Sequence, residues 1–172
     1  MPPTMADPAV TQTIVAPMMS GNHAANDEPD AMRIWFRFLR LHQRLSASMA
    51  SRLRAIGLSV PQFDLMSTLS EREGITQSAL AERLYVTKGN VSGLVDRLAQ
   101  AGLIERRAID GDKRSHALHL TRKGRSLVEL GLTTQRQYVT STLGHLPPAD
   151  LIEFERLVLV WRNRERDLRD AG

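Results

Sequence analysis

The stretch Thr87-Lys88-Gly89-Asn90-Val91-Ser92-Gly93-Leu94-Val95-Asp96-Arg97-Leu98 decides how this chain is read. On a helical wheel of roughly 100° per residue, Val91, Leu94, Val95 and Leu98 gather on one side. Opposite them lie Gly89, Ser92, Gly93 and Asp96, flanked by Lys88 and Arg97. A mid-helix glycine costs about 1 kcal/mol relative to alanine, so two glycines four apart on the polar side serve no purpose of stability. Three explanations compete: the glycines are merely tolerated, they admit a neighbouring helix, or the helix backbone must come close to an external surface. The last explains the polar flanks as well.

Working outward, Thr87 is placed to cap this helix, which runs to about Gln100 and closes at Gly102. Thr76 starts a shorter helix to Leu84, with Leu80 and Leu84 inward. Two short helices joined by Tyr85-Val86 make a helix-turn-helix. After Gly102 the apolar period falls from 3.6 to 2. Leu103 to Ile109 and Ser115 to Leu120 are then two strands of a hairpin, joined by a loop over 110–114 that contains Asp110-Gly111. His116, Leu118 and Leu120 share one of its faces. Upstream, Ser59-Val60-Pro61-Gln62 reads as a capping box with proline in the first turn, and its helix carries Phe63, Met66 and Leu69.

Longer helices flank this unit. One runs from about Asp30 to Ile56 with an apolar stripe of Trp35, Phe38, Leu39, His42, Leu45, Met49, Leu53 and Ile56, closed by Gly57. Another follows Thr121 to about Leu143. The last starts at Pro147-Pro148 and carries Leu151, Phe154, Leu157, Val158 and Trp161. Their apolar faces exceed what a small core can cover, and a second copy of the chain is the simplest partner. The expected fold is mainly α with a small β-hairpin wing: a disordered tail over 1–29, a winged helix-turn-helix over 58–124, and a helical dimerisation region over 30–57 and 125–172. Five prolines and no aromatic residue mark the tail.

Charge supports contact with a polyanion. The formal net charge of the 172 residues is +4, but no Lys or Arg precedes Arg33 while Asp7, Asp27, Glu28 and Asp30 do; from residue 31 onward 23 basic residues face 15 acidic ones, a net +8. Between Arg97 and Arg125 there are eight basic residues against three acidic ones. A hairpin-tip arginine, Arg114, is suited to a narrow minor groove, with Lys113 beside it and Asp112 positioned to orient an arginine. In the glycine-bearing helix, Lys88 can reach guanine or a phosphate, and Asn90 either bonds adenine or bonds locally. The free N–H groups at Thr76, Gln77 and Ser78 suit a phosphate. The expected DNA-contacting set is therefore Thr76, Gln77, Ser78, Thr87, Lys88, Gly89, Asn90, Ser92, Gly93, Arg97, Asp112, Lys113 and Arg114.

From Leu58 to Gly124 the chain resembles the winged-helix core of the MarR family. Gln62-Phe63, the segment from Thr87 to Leu98, Gly102-Leu103, Asp112-Lys113-Arg114-Ser115 and the run from Leu118 to Gly124 carry the resemblance. It implies a triangular homodimer held by its terminal helices on a pseudo-palindromic double-stranded operator, with Arg114 in the minor groove held by Asp112. It also implies repression relieved by a small molecule, often an aromatic acid or its thioester. Tyr85 departs from the glycine common in such turns, and without cysteine the chain cannot sense oxidants as thiol-bearing members do.

His42 sits mid-stripe and reads either as a core histidine bonded inside the protein or across the dimer, or as part of an effector pocket with Trp35, Phe63 and Met66. Catalysis and cofactors are not expected: there is no phosphate loop, nucleophile elbow or His-Glu zinc helix. His116 and His119, three apart on a strand, cannot chelate one metal. No apolar run approaches the length of a membrane span and no secretion signal is apparent, so a cytoplasmic site is expected. A non-specific architectural DNA binder and a protein-interaction winged helix are the alternatives.

Overall fold

Asp30, Ser59, Thr76, Thr87 and Thr121 each place a side-chain oxygen on a backbone N–H of the helix that follows, and these five caps lay out most of the molecule. The computed structural model describes residues 30–171 other than Asp110, and the backbone alone for Asp112, Lys113 and Arg114; the tail expected over 1–29 lies outside the described residues. In chain order the elements are α1 (Ala31–Ala55), α2 (Val60–Glu71), α3 (Gln77–Leu84), α4 (Lys88–Gln100), β1 (Ile104–Ile109), β2 (Asp112–Leu120), α5 (Arg122–Thr142), a 3-10 turn (Leu143–His145) and α6 (Pro148–Asp170). The capping box at Ser59 is complete, with Gln62 N–H donating to Ser59 Oγ at 3.3 Å and Ser59 N–H donating to Gln62 Oε1 at 2.9 Å.

The buried core is supplied by α2 (Phe63, Leu65, Met66, Leu69), α3 (Leu80, Ala81), α4 (Val91, Val95, Leu98) and the hairpin (Ile104, Leu118, Leu120). Leu53 at the end of α1 and Val128 near the start of α5 join it, so both long helices are anchored in the winged helix at one end only. Two glycines permit the α5 contact. A Cβ on Gly124 would overlap the Leu103 carbonyl, and one on Gly131 would stand 2.7 Å from two ring carbons of Phe63.

The hairpin is antiparallel, with Ile104 opposite Leu120 and Ala108 opposite His116, and its register shifts between Ala108 and Ile109. The second strand begins at Asp112, not at Ser115, so Asp112, Lys113 and Arg114 belong to the strand and the connection is shorter than the expected 110–114 loop. The ladder steps from Ala108 opposite His116 to Ile109 opposite Asp112, across a charged stretch in which no apolar alternation marks a strand. At the base of the wing, Gly74 N–H donates to Leu118 C=O at 2.8 Å and Leu118 N–H to Ile75 C=O at 2.9 Å, which sews β2 to the α2–α3 loop.

No residue of α6 is buried. Its Trp161 ring meets Trp35 and Phe38 of α1 edge-on, with centroids 5.9 and 5.1 Å apart. No described helix is long and apolar enough to cross a membrane.

Candidate nucleic-acid interface

Helix α4 owes its orientation to Val91, Val95 and Leu98, each 1% exposed or less, with Leu94 half-buried beside them. The opposite side is open. A Cβ on Gly89 would meet no atom within 4 Å, and one on Gly93 would meet only the Arg97 Nη1 at 3.7 Å. No neighbouring helix therefore uses these glycines. Lys88, Gly89, Asn90 and Arg97 are exposed, while Ser92 and Gly93 are half-buried. Thr87 Oγ1 caps the helix by accepting from Asn90 N–H at 3.4 Å. Among the described residues the Asn90 carboxamide has no partner, so its local-bonding alternative is not used in this structure.

One flank of α4 borders a groove of about 550 Å³, walled by Pro61 and Asp64 of α2 and by Leu84, Val86, Asn90 and Arg97. Desolvation at the groove's edge raises the Asp64 carboxyl above the usual aspartate range. On the other flank, Asp96 is ion-paired with Arg106 of β1. The pair fastens the recognition-type helix to the wing. It joins two exposed or half-exposed groups, so it adds orientation more than stability. Arg106 also borders a cleft of about 180 Å³ with Thr76, Gln77, Ser78, Ser115 and His116. Thr76 Oγ1 accepts from Ala79 N–H at 3.2 Å, while the remaining first-turn N–H groups of α3 lack the helical partners that interior amides have. The start of α3, the wing strands and the bare side of α4 thus form one surface.

The sequence reading named Thr76, Gln77, Ser78, Thr87, Lys88, Gly89, Asn90, Ser92, Gly93 and Arg97, and the structure brings these together. It missed Asp96 as a tether, and Arg106, Ser115 and His116 as walls of the cleft. Only the charge excess hinted at Arg106, because a helix-to-strand ion pair leaves no local pattern. The side-chain placements expected for Asp112, Lys113 and Arg114 lie outside the described residues.

Behind this surface, Glu73 accepts from His119 Nδ1 at 3.2 Å and is ion-paired with Arg125 of α5. One carboxylate therefore links the α2–α3 loop, the wing and α5.

The effector pocket expected from Trp35, His42, Phe63 and Met66 is not assembled. Phe63 and Met66 are 3% and 0% exposed within the winged-helix core, whereas Trp35 packs on Phe38 and Trp161. His42 is exposed in this chain and stacks on Phe38 at 6.2 Å, so it is not bonded inside the core of a single chain. Its neighbours on the α1 stripe pack instead on Trp161 of α6 or line the space toward α5. A different cavity, about 610 Å³, lies between α1, α5 and the start of α6, lined by Leu41, Leu45, Ser46, Met49, Val60, Gln135, Tyr138, Thr142 and Phe154 among others. Arg52 stands 4.8 Å from the centre of the Tyr138 ring. Among the described residues no cluster of three or more His, Asp or Glu could hold a metal ion.

Comparison with known proteins agrees with this geometry. Residues 58–116 match the model of the MarR family. An uncharacterized HTH-type transcriptional regulator of Bacillus cereus is 29% identical over 108 residues, which are 63% of this chain and 71% of that one. The HTH-type transcriptional repressor YetL of Bacillus subtilis is 27% identical over 107 residues, 61% of this chain and 64% of the repressor. Among solved structures, Streptococcus pneumoniae FabT in complex with DNA superposes with a TM-score of 0.73 at 22% identity, covering 81% of this chain and 99% of FabT. The winged-helix segment over residues 58–116 thus matches the MarR family, and most of the chain shares the fold of FabT.

Proposed function

We propose that this chain is a DNA-binding transcriptional regulator that represses as a homodimer on a pseudo-palindromic operator and is released by a small ligand. The observation that carries the proposal is the unfilled side of α4, where a Cβ on Gly89 would meet no described atom and one on Gly93 only Arg97, continuous with the start of α3 and the wing. A helix gives up side chains on an exposed face at a cost in propensity, and close seating in a major groove repays that cost. Lys88 and Asn90 would read base edges, the cleft at Thr76–Ser78 and Arg106 would take a phosphate, and Arg114 would enter the minor groove. The named repressor YetL and the DNA-bound FabT support the same reading.

For the ligand, the cavity between α1 and α5 replaces the four residues first expected. Its walls are apolar apart from Ser46, Gln135, Tyr138 and Thr142, with no cationic side chain among the lining residues. An aromatic ring fits that lining, and the carboxylate of an aromatic acid would turn toward Arg52 beside Tyr138.

Selection from a pool of random duplexes, followed by footprinting, tests the proposal. The expected result is a symmetric site with half-sites about one helical turn apart and binding that weakens steeply with salt. Arg114→Ala should lose affinity on every duplex, whereas Asn90→Ala should change base preference. A non-specific architectural protein would enrich no sequence, and a protein-interaction module would retain no duplex even at low salt. Undiminished affinity in Arg114→Ala would remove the wing from the interface.

A further inference from the structure

Five described residues have a positive φ, and four are glycine: Gly57, Gly74, Gly102 and Gly111. The fifth is Tyr85, at φ 54° and ψ 39°, the residue that closes α3 and leads into α4. An L-residue with a bulky side chain is strained in this left-handed region, where glycine is relaxed. Internal packing offers no compensation, since the Tyr85 side chain is 96% exposed, the most exposed of the large hydrophobic residues, with no hydrogen bond or ring contact among the described residues. Val86, next along the turn, is 44% exposed. The turn therefore carries an unfavourable residue whose ring nothing among the described residues uses.

Position indicates what does use it. Tyr85 lies two residues before Thr87, the cap of α4, and so beside the end of that helix where Lys88, Gly89 and Asn90 stand exposed. Any duplex seated on that end brings a sugar-phosphate strand past the turn. A phenol can donate to a phosphate oxygen while its ring lies along the apolar edge of the deoxyribose, and tyrosine is among the residues that position a protein on the DNA backbone. We infer that Tyr85 is a backbone-contact residue, held outward by its left-handed conformation so that its hydroxyl donates to a phosphate flanking the groove entered by α4. The inference rests on the DNA-binding reading above and deepens it, because it assigns a positioning contact to a residue at which this chain departs from the usual turn.

Its test compares the full-length wild type with Tyr85→Gly and Tyr85→Phe on the duplex that the wild type enriches from a random pool. Tyr85→Gly should melt at the same temperature as the wild type or higher, because the strain is gone, yet bind about tenfold more weakly, the loss expected for a hydrogen bond to a charged group. Tyr85→Phe keeps the ring and loses the hydroxyl, and most of the tenfold loss should persist. Both losses should be equal on duplexes altered at any single base pair, since a phosphate contact carries no base preference. Undiminished binding by Tyr85→Gly overturns the assignment, as does a lowered melting temperature in that variant, which would make the tyrosine a structural residue. A wild type that enriches no duplex removes the DNA-binding reading itself, a result distinguishable from either.

Discussion

Glycines 89 and 124 show what an absent side chain means in two settings. At Gly124 the missing Cβ makes room for the Leu103 carbonyl, a backbone atom that cannot turn aside. At Gly89 no described residue occupies the space. Alanine at the two positions should therefore act in opposite directions. Gly124→Ala should destabilise the fold by about 2 kcal/mol or more, within the range of overpacked sites. Gly89→Ala should stabilise it by as much as about 1 kcal/mol while weakening binding to the selected duplex severalfold, because the methyl group would enter the space that the proposed interface gives to DNA. Denaturant melts and mobility shifts on the same preparations check both. A Gly89→Ala protein that is more stable and binds as tightly would show that the bare face is not where the duplex lies.

Between elements, the joints matter more than the elements themselves. The α2–α3 loop, the wing and α5 meet at Glu73, whose side chain is 23% exposed between His119 and Arg125. Glu73→Gln keeps an acceptor but removes the charge. The cost in global stability should stay below about 1 kcal/mol, since Arg125 is half in solvent. The local effect should be larger: hydrogen exchange at the Gly74 and Leu118 amides should speed up relative to the α2 core, and unchanged protection there would show that the backbone bridge alone holds the wing. No such joint is visible in a sequence. Capping at Ser59, Thr76, Thr87 and Thr121 was legible because each cap is local, and the period of α4 because one face is buried. The start of β2 at Asp112 was not, since Asp112-Lys113-Arg114 is three charged residues in a row, without the alternation that marks a strand. Pairing of Asp96 with Arg106, ten residues on across a helix and a strand, leaves no pattern to read. Phe63 and Met66 were recognised as apolar, but an apolar residue in a core and one lining a pocket look alike until the neighbours are placed.

At the scale of the whole molecule, the α1 stripe poses the same ambiguity, and here the structure is informative. Trp35, Phe38, Leu45, Phe154, Leu157, Val158 and Trp161 remain between 37% and 50% exposed, with Ile152 at 69%, along helices that bury nothing at their far ends. Exposed apolar side chains in this number on two neighbouring helices point to an interface. Because it lies on the terminal helices, a two-fold partner would cover it and leave the DNA surface free. The full-length chain should therefore sediment as a dimer and melt at a temperature that rises with protein concentration. Trp161→Ala tests the surface without touching the core, since every core residue lies between Leu53 and Val128. Its circular dichroism should stay helical, its monomer fraction at micromolar concentration should rise, and its affinity should fall on the two-half-site operator but not on an isolated half-site. Loss of affinity on the half-site as well would mean that the substitution reaches α4 through the fold. A wild type that sediments as a monomer at every concentration would leave those exposed rings without a partner and separate DNA recognition from dimerisation in this chain.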